Sequence, residues 1–309
     1  TRLLNSRNSG LPGNNIVSMC RCDDEIWMAV YTKGLCSFNT RTEKIETYSL
    51  EAHDELYVDN NKTWVVVNDN QGRIWVGGPS LFIFSRETKK FSKVEGLGSR
   101  FISSISFKEN TAYISTRNSG ICTVDMNSLH ITGEYNSASM KGFPENDVRY
   151  VYKDSHDNLW FSTQTTGLHL LNETDGHIER FDEKNGLVNN RIAVINEDDA
   201  GNLWIGTMNG LHYYSYSSRR FIHLGNEEFI PGQYLFSAGS FDGENMYFGS
   251  TEGLVIFDVD KINLQREYSK VCFNKLTTLS ETPQTFNLYS SCPSAVKLGP
   301  KDNFFRISI

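Results

Sequence analysis

The feature that most constrains this chain is a short segment that recurs, with variation, six times. Residues 198–214, DDAGNLWIGTMNGLHYY, place an acidic turn before a tryptophan flanked by apolar residues, then a glycine-bounded turn and a second apolar run. The same order is found in QGRIWVGGPSLFIF and HDNLWFSTQTTGLHLL, and more loosely in DDEIWMAVYTKGLCSF, ENTAYISTRNSGICTV and GENMYFGSTEGLVIF. The aromatic anchors Trp27, Trp75, Tyr113, Trp160, Trp204 and Tyr247 lie 48, 38, 47, 44 and 43 residues apart, a mean of 44. A period of this length marks a repeat architecture and changes the meaning of every motif inside it.

The local chemistry of each copy is that of strands. An apolar run such as 148–152 or 192–195 precedes a turn rich in Asp, Asn and Gly, residues that tolerate the positive φ of tight hairpins. A second strand carries the anchor. A short turn, usually ending in glycine (Gly34, Gly120, Gly167, Gly210, Gly253), leads to a third strand, and RTEK, RETKK or SSRR turns the chain into a more polar fourth. Four antiparallel strands per repeat describe an all-β fold, a β-propeller of four-stranded blades. Six repeats span 13–268, and the ring is expected to be incomplete. The anchors then read as structural, each filling the wedge between neighbouring blades.

Both ends read as interior to a longer chain. Residues 1–12 resemble the end of a preceding blade, since GLPGNN at 10–15 returns as GFPEND at 142–147 and GLVNNR at 186–191. Residues 269–309 hold strand-like runs without an anchor and read as the first strands of a β-sandwich, cut short. No stretch approaches the ~18 consecutive apolar residues of a membrane span, and no charged-then-apolar leader opens the sequence.

The repeat disfavours two common propeller families. WD repeats need Asp after the anchor tryptophan, where Met, Val, Phe or Ile stands here, and kelch repeats need a recurring Gly-Gly that only Gly77-Gly78 supplies. NGLVNNRIAVINEDDAGNLWIGTMNGLHYY at 185–214 instead resembles the two-component regulator propeller repeat nearly position for position, and 142–171 resembles it well. The likeness covers about residues 9–260. The closing LGPKDNFFRISI is similar to the opening of the triple-tyrosine (YYY) sandwich that follows such propellers. The resemblance implies the periplasmic sensor region of a hybrid two-component system of the Bacteroidetes type. Its implied partners are an oligosaccharide or other small ligand, an adjacent propeller of the same chain and a second copy in a homodimer, with membrane contact only through downstream parts.

The residues also admit an enzyme reading, a propeller glycoside hydrolase or lyase. DAGNLW and DGENMY also fit the Asp-box turn of sialidase propellers, and a propeller can present two carboxylates for glycoside hydrolysis. The acids cluster instead in the turns between first and second strands, at Asp23, Asp24, Glu25, Asp69, Glu109, Asp154, Asp157, 197–199, Asp242 and Glu244, which places them on one rim. No catalytic residue is assigned, and a fold alone licenses no chemistry. The seven His are scattered, no C-x-x-C or H-x-x-x-H pair occurs, and NEDDAGN lacks the alternating ligands of a calcium loop, so neither metal nor cofactor is expected. His169 and His212 occupy equivalent third-strand positions. The six Cys show no regular framework, and a Cys272–Cys292 bridge stays open. A net charge of −7 argues against nucleic acid as a partner.

The opposite rim is built from the loops leading into the first strands and those joining second to third strands. It gathers Arg7, Asn8, Lys33, Arg100, Arg117, Asn118, Lys141, Arg149, Gln164, Arg191, Asn209 and Tyr234. Solvated or internally paired rim arginines are the plain explanation. The sharper one is a cationic, amide-rich mouth for a saccharide, in which Arg100, Arg117, Asn118, Arg149, Gln164, Arg191, Asn209 and Tyr234 bind ligand and arginine supplies a bidentate fork.

Overall fold

The computed structural model describes residues 6–49, 62–69, 71–98, 100–184, 186–224, 234–250, 253–262, 275–278, 285–287 and 305–308. The chain divides into two units, one ending at Ile262 and one beginning at Asn263.

The first unit is the propeller. Blade one comprises β1 (Ile16–Cys22), β2 (Glu25–Val30), β3 (Gly34–Asn39) and β4 (Ile45–Tyr48). Blade two comprises β5 (Val65–Asn68), β6 (Arg73–Gly77), β7 (Leu81–Ser85) and β8 (Lys90–Lys93). Blade three comprises β9 (Ile102–Lys108), β10 (Thr111–Thr116), β11 (Gly120–Asp125) and β12 (Ile131–Tyr135). Blade four comprises β13 (Val148–Lys153), β14 (Leu159–Thr163), β15 (Leu168–Leu171) and β16 (Ile178–Phe181). Blade five comprises β17 (Ile192–Glu197), β18 (Leu203–Thr207), β19 (Gly210–Ser215) and β20 (Arg220–Leu224). Blade six shows β21 (Tyr234–Phe241), β22 (Asn245–Ser250) and β23 (Gly253–Asp258). Every blade is an antiparallel meander in sequence order. The second unit contributes a three-stranded sheet in the order β25 (Thr285–Asn287), β24 (Lys275–Thr278), β26 (Phe305–Ser308).

The expected six-blade all-β propeller is thus the observed fold, with one correction. The innermost strands β1, β5, β9, β13, β17 and β21 form a closed circuit of neighbours, β21 lying beside β1, so the ring is not open at its axis. The closing seam is unevenly filled, because Met19 on β1 and Ile256 on β23 are 58% and 54% exposed.

The anchors explain how blades pack. Trp27, Trp75, Trp160 and Trp204 are buried, and each meets a ring of the following blade: Phe84 at 5.2 Å, Phe107 at 5.4 Å, Tyr214 at 5.1 Å and Phe257 at 4.9 Å. Tyr113 is also buried, while Tyr247, at the seam, is half-buried and donates to Asp242 at 2.7 Å. Apolar plugs recur beside the loops that lead into first strands. Leu11, Leu97, Phe143 and Leu187 each follow a glycine and are buried, Leu11 against Met28, Val30 and Cys36 of blade one.

First strands of neighbouring blades are not paired as a sheet, and hydroxyls bridge them instead. Ser18 Oγ accepts from Val66 N at 3.1 Å, Ser103 Oγ donates to Val148 O at 2.7 Å, and Lys153 N donates to Ser106 Oγ at 3.0 Å. The turns into the third strands of blades three and four require glycine. Gly120 and Gly167 hold φ of 76° and 94°, and a Cβ there would come within 2.1 Å of Tyr135 O and 2.5 Å of Phe181 O.

Candidate functional site

One backbone bond, repeated in four blades, fixes where the mouth's side chains start. The residue after the second strand donates its N–H to the loop leading into the first: Tyr31 to Asn15 O (2.9 Å), Arg117 to Phe101 O (3.1 Å), Gln164 to Asp147 O (3.0 Å) and Met208 to Arg191 O (3.0 Å). One turn deeper, four first strands carry a β-bulge whose extra residue is Val17, Ser103, Arg149 or Ala193. A bulge re-aims a side chain at a sheet's rim. Only in blade four is that side chain charged.

Blades one to four bring three rings and two arginines together here. Tyr31 and Trp64 meet edge to face at 6.5 Å, and Trp64 and Phe101 at 5.9 Å. Arg117 Cζ lies 4.5 Å from the Trp64 ring centre and 4.3 Å from that of Phe101, so both rings hold its guanidinium by cation–π contact. Arg149 Nη2 donates to Asp147 Oδ2 at 2.9 Å. Its Nε also lies 2.9 Å from Asp147 Oδ1, but the N–H is not aimed at that oxygen, and both atoms are buried without a hydrogen bond. Arg117 Nε is buried without a partner too. Burial, and then the charge of Arg149, push the Arg117 pKa below its usual range, while Asp147 and Tyr31 oppose the shift.

The residues expected at the mouth divide into three groups. Arg117, Arg149 and, at the position equivalent to Arg117, Gln164 belong to this arrangement. Asn118, Arg191 and Asn209 lie exposed on the same loops, as do Arg7, Asn8, Lys33 and Lys141. Arg100 and Tyr234 do not join it. Arg100 turns back into its own blade, where Nη1 donates to Glu134 Oε1 at 2.7 Å and Cys122 Sγ at 2.8 Å. Tyr234 is 1% exposed because Gly206 lacks a side chain and leaves a slot for its ring, which meets Phe248 at 5.6 Å. Burial pushes its pKa up to about 12.

Sequence reasoning missed Tyr31, Trp64, Phe101 and Asp147. One signal was available: of five tryptophans, Trp64 alone falls outside the anchor series.

The acidic rim behaves differently. Asp69, Asp154 and Asp198 accept the indole N–H of the tryptophan six residues on, at 2.8, 2.7 and 3.0 Å. Each also accepts backbone N–H groups of its own turn, from Gln71 and Arg73, from Asn158, and from Ala200 and Asn202. Asp154 further receives the hydroxyl of Tyr216. These carboxylates hold their own hairpins and tie them to the anchor indoles.

His169 and His212 are buried in third strands. His212 Nε2 accepts from Val188 N at 3.0 Å, and His169 Nε2 lies 2.8 Å from Thr166 Oγ1. Nδ1 of each has no partner. Cys20, Cys22, Cys36 and Cys122 are free thiols, and Cys272 and Cys292 lie outside the described residues.

Comparison with known proteins agrees with the repeat. The two-component regulator propeller family matches residues 142–165 and 186–209, so the chain carries these repeats in blades four and five. A curated relative, histidine kinase P4 of Formosa agariphila, is 23% identical over 301 residues, covering 90% of this chain and 21% of the relative. The extracellular domain of a B. thetaiotaomicron protein described as a hybrid two-component system superposes with a TM-score of 0.64 at 18% identity, covering 81% of this chain and 36% of that one. Virginiamycin B lyase of Staphylococcus aureus gives a TM-score of 0.64 at 18% identity, with 80% and 81% covered. At these identities the structural likenesses establish the shared propeller fold. The chain spans about a fifth of the kinase relative and about a third of the B. thetaiotaomicron domain. Among the described residues no helix is long and apolar enough to cross a membrane.

Proposed function

We propose that this chain is the ligand-sensing propeller of a periplasmic sensor region in a hybrid two-component system, and that its mouth recognises an oligosaccharide. The observation that carries this is the cluster of Tyr31, Trp64, Phe101 and Arg117 at the axial end of three blades. Half-buried aromatic rings suit the apolar C–H faces of sugar rings, and guanidinium forks suit their oxygen atoms. The regulator repeats and the kinase relative support the sensor setting.

The mechanism is one of differential binding. A ligand changes kinase output only by binding one arrangement of the receptor more tightly than another. Rigid blades do not provide two arrangements, so the switching element is an interface, with an adjacent propeller of the same chain or with a second copy in a homodimer. No catalytic step is assigned to this segment, since the carboxylates at Asp69, Asp154 and Asp198 are held by their own hairpins.

Calorimetric titration of the intact protein with a panel of oligosaccharides tests the reading, repeated with Trp64→Ala. Binding weakened about tenfold or more by the substitution, the size of one lost stacking partner, supports a site at the mouth. Binding that it leaves unaltered moves the site elsewhere. A second reading, in which this propeller is a structural or dimerisation module, is favoured by the exposed Met19 and Ile256 at the seam; cross-linking through cysteines placed at those two positions would report such an assembly.

A further inference from the structure

We infer that the mouth is specific for an anionic saccharide, one bearing a carboxylate or sulfate group that sits between Arg117 and Arg149. The inference rests on the mouth being the ligand site and adds the chemical class.

The charge balance of the cluster is incomplete. Burial, and after it the like charge of Arg149, act against the charge on Arg117, and Asp147 is the carboxylate that opposes them. That one carboxylate is already held by Arg149 at 2.9 Å. Among the described residues Arg117 has no ion pair, and its Nε–H and that of Arg149 are both buried without an aligned acceptor. Burying a cation without a paired anion is costly, and here one carboxylate serves two guanidinium groups.

The geometry around the cations is pre-organised. Trp64 and Phe101, set edge to face, hold the Arg117 guanidinium carbon 4.5 and 4.3 Å from their ring centres, which fixes the position of its charge. The bulge in β13 sets Arg149 at the neighbouring position. Gln164, at the point in blade four that Arg117 occupies in blade three, adds an amide able to meet a hydroxyl. Two cations flanked by rings and an amide match a sugar that carries charge. A neutral sugar would leave two guanidinium groups sharing the single carboxylate of Asp147.

The test is calorimetric titration of the intact protein with neutral, uronate-bearing and sulfated oligosaccharides of matched length, alongside free glucuronate and sodium sulfate. The expected result is at least about tenfold tighter binding of the charged saccharides than of the neutral ones, falling as salt is raised. Arg117→Ala and Arg149→Ala should each remove that preference, and Arg117→Lys, which keeps the charge but not the fork, should retain part of it. Thermal unfolding of each variant monitors folding, and the neutral-to-charged ratio of the unsubstituted protein needs no variant. Equal affinity for neutral and charged saccharides would overturn the inference while leaving the mouth as the ligand site. Sodium sulfate binding as tightly as the sulfated saccharide would overturn it in favour of a simple anion site. Charged saccharides bound equally by the Arg117→Ala and Arg149→Ala variants, or no saccharide bound at all, would overturn both readings.

Discussion

Blades four and five and blades one and three reach the same four-stranded geometry by different polar interiors. In blades four and five an Asp six residues before the anchor clasps the indole N–H. Blade one has Arg21 at that place, its hairpin is tighter, and Trp27 Nε1 is buried with no partner. Blade three has Tyr113 as anchor, and its hydroxyl and that of Tyr135 turn to Glu173 of the next blade, which also holds Lys153 Nζ at 2.6 Å. The third strands differ in parallel. At one register position blades four and five carry His169 and His212, where blades one and three carry Cys36 and Cys122. The apolar wedge is thus the common requirement, and each blade satisfies the polar atoms beside it locally.

Three experiments would break or sharpen this contrast. The largest effect is expected from Glu173→Ala, which leaves Lys153, 6% exposed at its side chain, as a buried charge without its carboxylate. Removing one partner of such a pair costs about 3 kcal/mol, read as a lower urea midpoint, and the pair Lys153→Met with Glu173→Leu should restore most of it. A single substitution without effect would show that blade three is held by its rings alone.

Next comes acid pH, acting on blades four and five. Burial lowers the pKa of His169 to about 4 and of His212 to about 3, against 6.5 as the ordinary value. The unfolded chain therefore binds more protons between those limits. The stabilising contribution of neutral histidine is full above about pH 6.5 and is lost progressively as pH falls toward 3. For His212 alone the loss between pH 7 and pH 4 is on the order of 2–3 kcal/mol. His212→Phe should flatten that part of the pH profile of thermal unfolding; an unchanged slope would place the acid sensitivity elsewhere.

The smallest effect compares anchors. Trp204→Phe removes the donor to Asp198, leaving a carboxylate short of one bond, at a cost of about 1–2 kcal/mol beyond the lost ring volume. Trp27→Phe removes an indole N–H that already lacks a partner and should cost less by about that amount. Equal losses in chemical denaturation would mean that the clasp contributes nothing net.

Much of the fold was legible in the chain because the anchor, its acidic turn and the following glycine obey local rules that repeat. The committed role of the hairpin acids was legible in part, as Asp and Trp six residues apart in blades two, four and five. The mouth was less so. Arg100 and Arg117 look alike in sequence, each beside a strand end on the same rim. One is spent on Glu134 and Cys122 of its own blade, and the other is carried between two rings from blades two and three.

By itself the sequence determined the blade, its strand order and the positions of its turns, because hydrophobic alternation and turn chemistry act over a few neighbouring residues. Only the tertiary structure decided that six first strands close into a ring, that Tyr234 lies in the core beside Gly206, and that Tyr31, Trp64, Phe101, Arg117 and Arg149 share one mouth. Those residues span four blades and more than a hundred positions of chain. Their meeting depends on how each blade is rotated against the next, which is set by the wedge packing between sheets and not by any local pattern.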